Sequence, residues 1–264
     1  MTQRANPGSH PSPQATQSSG SEAADLEHTA GQPAHPVATE GIYIVVPAYN
    51  EAGAVGDVVR ELREHYRWVV VIDDGSRDLS SQVAADAGAI VLRHPINRGQ
   101  GAALQTGITF ALEQGAEIVI TFDSDGQHRV EDLPRLLHPI LQGDADVVLG
   151  SRFLSGADTQ AVPWTRRLLL RGAVLFTRMV SGPRLTDAHN GFRAFSRRAA
   201  QRIQIRLDRM AHASELVDQI HRSRLPYQEV PVRIRYTEYS RGKGQRASAA
   251  FRVAWDYLLG RVLR

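Results

Sequence analysis

Ile118-Val119-Ile120-Thr121-Phe122-Asp123-Ser124-Asp125-Gly126-Gln127-His128 is an apolar run that ends abruptly in acids. Residues 118–122 suit burial on both faces, as in a central strand of a parallel sheet. Two carboxylates, one residue apart, then leave that strand together. Working outward, the same device recurs. Residues 42–46 form an apolar run closed by Pro47, and residues 68–72 form another closed by Asp73 and Asp74. Residues 89–92 and 147–149 read as the third and fifth strands. Residues 55–65 and 102–113 carry helical spacing, and Asp78 is placed to cap a shorter helix ending at Ala87. This alternation predicts an α/β fold, a mostly parallel sheet flanked by helices and joined by right-handed crossovers. Ligands of such sheets bind beyond the carboxyl ends of the strands. The chemistry is therefore expected at residues 47–51, 73–78, 97–101 and 123–128.

Composition narrows the class further. The 264 residues are 42% hydrophobic and 22% charged, which excludes a wholly disordered, collagenous or coiled-coil protein. Without cysteine there are no disulfides, thiolate metal sites or cysteine nucleophiles. No run approaches the ~20 apolar residues that span a bilayer, and the N-terminus lacks a secretory signal, so a cytoplasmic protein is expected. Residues 1–38, rich in Pro, Ser, Gln, Ala, Thr, Gly and His, read as a disordered tail. Residues 39–246 read as one folded domain and residues 247–264 as an amphipathic helix suited to a membrane interface or a membrane partner. Charge is segregated: residues 41–149 hold 8 Arg against 16 acids, whereas residues 150–264 hold 22 Lys and Arg against 8 acids. An acidic half and a basic half suit a cation and a phosphate, respectively.

The turns then take on chemical roles. Pro47 ends the first ladder, and Tyr49 offers a flat surface for a base. Asp73 and Asp74 are able to accept from a base N–H and a ribose hydroxyl. The glycine-flanked loop at Gly99 opens a helix whose N–H groups suit anionic or hydroxyl-bearing ligands. Leu104 breaks the dinucleotide fingerprint, so a nicotinamide cofactor is not expected. Asp123 and Asp125 can converge on a divalent cation, which is commonly held by one or two carboxylates with water and substrate phosphates. An EF-hand is excluded, because Gly126 stands fourth and Pro134 twelfth. A phosphatase using Asp-x-Asp as nucleophile and acid would open its first strand with the motif, not close its fourth.

Together these motifs, over residues 42–245, resemble the family 2 glycosyltransferases with the GT-A fold, and among them the dolichyl- or polyprenyl-phosphate sugar synthases. The resemblance implies a Rossmann-like single domain in which Pro47, Tyr49 and Glu51 surround the nucleoside and Asp74 contacts the base. It places Asp123 and Asp125 on metal and diphosphate, Ser124 beside them, and Gln127 as a further metal ligand, the ion being Mg²⁺ or Mn²⁺. Arg152, Arg166, Arg241 and Lys243 correspond to phosphate-handling cations, and Asp187 to the acid before the family's Gly-Phe-Arg segment. Leu170 departs from the hydroxyl residue that relatives often carry there.

The expected activity is inverting transfer of a hexosyl group from a UDP- or GDP-linked sugar to a polyprenyl phosphate. Asp125, Asp187, Arg152 and Arg166 are the expected catalytic residues. Partners are the nucleotide-sugar donor, the lipid acceptor, and a membrane surface or small membrane protein at the inner face of the plasma membrane; nucleic acid is not among them. A hydroxyl acceptor would require Asp187 as base. A non-catalytic nucleotide-sugar-binding protein would need neither Asp187 nor the late basic loop.

Overall fold

Strands Ile42–Ala48 (β1), Trp68–Asp73 (β2), Ile90–Arg93 (β3), Ile118–Thr121 (β4), Val147–Ser151 (β5), Arg193–Ser196 (β6) and Tyr227–Pro231 (β7) form one sheet, in the order β3-β2-β1-β4-β6-β5-β7. The computed structural model describes residues 39–154, 185–187, 190–207 and 212–235. The expected tail at 1–38, Arg166, Arg241 and Lys243, and the helix expected at 247–264 lie outside the described residues. Pairings β1–β2, β1–β4, β2–β3 and β5–β7 are parallel, and only β6 runs against its neighbours.

Helices Val55–Arg63 (α1), Ser80–Asp86 (α2), Gln100–Glu113 (α3), Leu133–Leu141 (α4), Arg197–Arg202 (α5) and His212–Ser223 (α6) cover both faces. Successive β1 residues point to opposite sides. Ile44 and Val46 pack with Val58 and Leu62 of α1 and Leu133 and Leu136 of α4. Tyr43 and Val45 pack with Leu104 and Ile108 of α3 and Leu216 and Ile220 of α6. Gly107 lets α3 settle on the sheet, since a Cβ there would lie 2.3 Å from a Val45 methyl. Two buried faces explain why the central strands are apolar at every position.

Strands β1 to β5 fall within two residues of their expected bounds, and β6 and β7 were not expected. Pro47 is a correction. It does not end β1, which is buried through Ala48. The Val45 carbonyl accepts from Phe122 on the β4 side, and that of Ala48 from Asp74 on the β2 side. Pro47 thus turns its missing N–H toward β4, where the ladder has already finished at Val45 and Thr121. Asp78 serves α2 from two residues before its start, its Oδ1 accepting from the Ser80 N–H at 3.0 Å.

Candidate active site

The carboxyl ends of β1 and β2 are bonded together before any ligand is considered. The Asn50 N–H donates to Ser76 Oγ at 2.9 Å, the Glu51 N–H to Ser80 Oγ at 2.8 Å, and the Arg77 N–H to Asn50 Oδ1 at 2.9 Å. Asn50 takes the left-handed conformation at φ 55°, which asparagine tolerates better than most residues. Asp73 is fully buried: Oδ1 accepts from the Ser76 N–H at 2.8 Å, Oδ2 accepts from the Ser81 hydroxyl, and Arg93 lies 3.4 Å away. Asp74 is 2% exposed and accepts from His94 Nδ1 at 2.7 Å, the Arg98 N–H at 2.9 Å and the Gly99 N–H at 2.6 Å. His94 is held in turn by Thr106 at 3.0 Å. Within the chain, Asp73 builds the turn, and Asp74 fastens the glycine loop through Gly99. Tyr49, past the end of β1, keeps an exposed ring.

The acids beyond β4 are arranged differently. Asp123 keeps 30% of its side chain exposed. Its Oδ2 lies 2.9 Å from His128 Nε2, and its Oδ1 accepts from Gln100 Nε2 at 3.2 Å. Burial pushes the Asp123 carboxyl up, but His128, Arg193 and His212 outweigh it and hold it below the usual range. Asp125 moves the other way: burial and the charges of Asp123 and Glu51 raise it, against hydrogen bonds from the Gln127 backbone and the pull of His128. Among the described residues its hydrogen-bond donors all belong to Gln127, whose N–H donates at 3.0 Å and side-chain amide at 2.8 Å. Ser124 between the two acids is buried. Glu51, Asp123 and Asp125 thus form an acidic rim whose repulsion falls on Asp125.

On the far side, Arg152 grips Asp187 as a two-pronged fork, Nε to Oδ2 at 2.6 Å and a terminal nitrogen to Oδ1 at 2.8 Å. Glu229 of β7 fixes the segment before it, accepting from the Thr186 N–H at 2.9 Å and the Asp187 N–H at 3.1 Å. Arg193, 3% exposed, feels both Asp123 and Asp187; burial brings its guanidinium down to about 10 while the two acids keep it charged at neutral pH. Residues 232–235 run beside the Asp-x-Asp loop, with the Arg235 N–H on the Gln127 carbonyl at 2.8 Å and the Arg233 N–H on Asp132 at 2.8 Å.

Residues 43–204 match the family model described as glycosyl transferase family 2. The chain belongs to that family. This family 2 glycosyltransferase is 31% identical to the UDP-N-acetylglucosamine–dolichyl-phosphate N-acetylglucosaminyltransferase of Methanococcus voltae, over 84% of this chain and 98% of the relative. It is 31% identical to the polyprenol monophosphomannose synthase of Mycolicibacterium smegmatis, over 69% and 71% of the two chains. Its fold is that of the Mycobacterium tuberculosis glucosyl-3-phosphoglycerate synthase solved with Mn²⁺, UDP-glucose and phosphoglyceric acid, with a TM-score of 0.59 at 22% identity, over 83% of this chain and 79% of that one.

In this family 2 transferase the structure adds residues to which the sequence assigned no role: His94, Gln100, His128, Gly191, Arg193 and His212. Gln100 and His128 lie in the turns at 97–101 and 123–128 where the chemistry was expected, and Gly191 and Arg193 in the Gly-Phe-Arg segment after Asp187. His94 and His212 meet the site only through folding. Among the described residues, no three His, Asp or Glu side chains converge as a metal cage, and no helix is long and apolar enough to cross a membrane.

Proposed function

We propose that this glycosyltransferase moves a hexosyl group, with inversion, from a UDP- or GDP-linked sugar to a polyprenyl or dolichyl phosphate. The observation that carries the reading is the placement of Asp123 and Asp125 one residue apart beyond the end of β4, with the Asp123 side chain left 30% exposed. A divalent cation fits this donor set. Two carboxylates are enough for Mg²⁺ or Mn²⁺ when a diphosphate completes the shell, and a cation relieves the repulsion that raises Asp125. Asp123 and Asp125 would hold the ion, with Gln127 joining if its amide turns its oxygen outward. Bound there, it supplies charge neutralisation for the departing nucleoside diphosphate.

The chain's own residues do the rest. Tyr49 gives the base a flat face, with Pro47 and Glu51 framing the nucleoside. Arg241 and Lys243 supply cations to the diphosphate, and Arg152 and Arg166 hold the acceptor phosphate in line, so that proximity contributes much of the rate. Asp187 favours a charged acceptor. Both of its oxygens accept from Arg152, which suits a carboxylate that positions a phosphate-binding arginine better than one that takes a proton from a hydroxyl. The lipid-phosphate acceptors in the names of the Methanococcus and Mycolicibacterium relatives agree with this choice. A membrane-bound acceptor also implies that the enzyme works at the inner face of the plasma membrane.

The test is transfer from radiolabelled UDP- and GDP-sugars to polyprenyl phosphate in detergent, with and without Mn²⁺ or Mg²⁺. Metal-dependent passage of label into the organic phase is expected. Label passing only to hydroxyl acceptors, or transfer indifferent to chelation, overturns the proposal.

A further inference from the structure

Asp123 is approached from three directions by parts of the chain far apart in sequence. Gln100, the first residue of α3, donates to Oδ1 at 3.2 Å. His128 lies 2.9 Å from Oδ2. The Gly191 main chain presses against the same carboxylate, since a Cβ there would fall 2.6 Å from both oxygens. Neither donor is loosely held. The His128 ring stacks on Phe192 at 4.8 Å and meets Phe122 edge-on at 5.4 Å. Among the described residues its buried Nδ1 has no hydrogen-bond partner, so the ring's polar contact there is spent on Asp123. Only a donor suits a carboxylate, which places the proton on Nε2. Gln100 follows Gly99, whose N–H is fixed by Asp74 at 2.6 Å, with His94 and Thr106 behind it. The strut at the end of β2 thus carries Gln100 to the acid at the end of β4. Among the described residues Asp125 accepts only from Gln127, two residues along its own loop.

We infer that Gln100 and His128 are positioning residues that set Asp123 in place before cation and diphosphate arrive, leaving Asp125 as the adjustable partner. The inference rests on the proposed metal-dependent transfer. A carboxylate oriented in advance loses less freedom on binding, and outer partners of metal ligands are typically worth about 10–100-fold in affinity or activity.

The experiment is a Mn²⁺ titration of the full chain, followed by electron paramagnetic resonance in the presence of UDP or GDP. It compares the parent with Gln100→Leu, His128→Phe and His128→Gln. His128→Phe keeps the aromatic stack and removes the nitrogen, whereas His128→Gln restores a donor. Gln100→Leu and His128→Phe are expected to weaken Mn²⁺ binding by about tenfold, with His128→Gln recovering most of the loss. In transfer assays the metal KM should rise while kcat at saturating Mn²⁺ stays near the parent's. Gln100 is only half-buried, so Gln100→Leu decides the matter alone if His128→Phe does not fold. Mn²⁺ affinities within twofold of the parent in the folded variants overturn the inference and leave the proposed function standing. A parent that binds no Mn²⁺ with either nucleotide removes both.

Discussion

Two acidic pairs stand at the carboxyl ends of neighbouring parts of one sheet, Asp73 and Asp74 after β2, and Asp123 and Asp125 after β4. In sequence they look alike, each following an apolar strand. In the structure they differ in burial and in the supply of donors. Asp73 and Asp74 are buried and engaged on every oxygen by backbone N–H groups, hydroxyls and His94. Asp123 is held on both oxygens yet stays partly open, and among the described residues Asp125 is bonded only within its own loop while burial and the charge of Asp123 raise it. A carboxylate whose hydrogen bonds are complete holds chain together. One left short of positive charge is available to a cation.

The sharpest way to break this distinction is to neutralise one acid from each pair. Asp125→Asn should cut transfer by about a thousandfold, the scale on which lost electrostatic stabilisation of a leaving charge acts. Its melting temperature should hold or rise, because the substitution removes repulsion, and free-nucleoside binding should survive. Asp74→Asn should behave in the opposite order. An amide offers a single acceptor oxygen to three donors and turns its own N–H groups toward others, a cost of about 3 kcal/mol. For a domain of this size that lowers the melting temperature by about 6–12 °C. Differential scanning calorimetry beside radiolabel transfer reads both. If Asp74→Asn melts like the parent, or if Asp125→Asn melts much lower, the division of labour is wrong.

A third change tests the wall behind the open pair. Gly191→Ala places a methyl 2.6 Å from both Asp123 oxygens. The carboxylate cannot retreat without leaving Gln100 or His128, so either the acid or the Gly191 backbone must shift. Activity is expected to fall by about tenfold, with a stability loss of about 1–2 kcal/mol from overpacking. Thermal melts together with metal-dependence curves separate the two effects.

The same comparison shows where sequence reading reaches its limit. Strands β1, β2, β4 and β5 were legible because burial on both faces writes an uninterrupted apolar run, whereas β3 is a half-buried edge strand whose Ile-Val-Leu core is still apolar. The remainder of the sheet has no such signature. Four-residue β6, Arg193–Ser196, is half polar, and its buried Arg193 reads as surface. The edge strand β7 reads Tyr-Gln-Glu-Val-Pro with both ends exposed. Helix α4 carries Pro134 in its first turn, where proline is tolerated, but also Pro139 inside, a residue that normally argues against a helix interior. At the site, the Asp-x-Asp motif and the acidic turn after β2 were both visible. What separated them was not, because the donors on Asp74 come from residues 94–99, and those on Asp123 from residues 100 and 128.

The smallest expected effect uses an acid from the opposite end of the sheet. Asp146, just before β5, accepts from Ser196 Oγ at 2.7 Å and from Arg198, and the Arg198 hydrogen bond holds its carboxyl below the ordinary 3.8 despite partial burial. A depressed folded-state value means that the ionised form is favoured by folding. The stabilisation is therefore complete above the ordinary carboxylate pKa and disappears as pH falls below it through the folded value. Asp146→Asn should melt lower than the parent at pH 7, and the gap should narrow progressively as pH falls below the ordinary carboxylate range. Because Arg198 is 60% exposed, solvent and salt screen the pair, and the gap should not exceed about 2 °C, shrinking further in high salt. Transfer activity should not respond, since the pair lies at the amino end of β5, away from the rim where β1, β2 and β4 deliver their acids. A loss of activity in Asp146→Asn without a loss of stability would mean that the amino end of the sheet reaches the chemistry. The contrast between structural and available carboxylates would then need a third class.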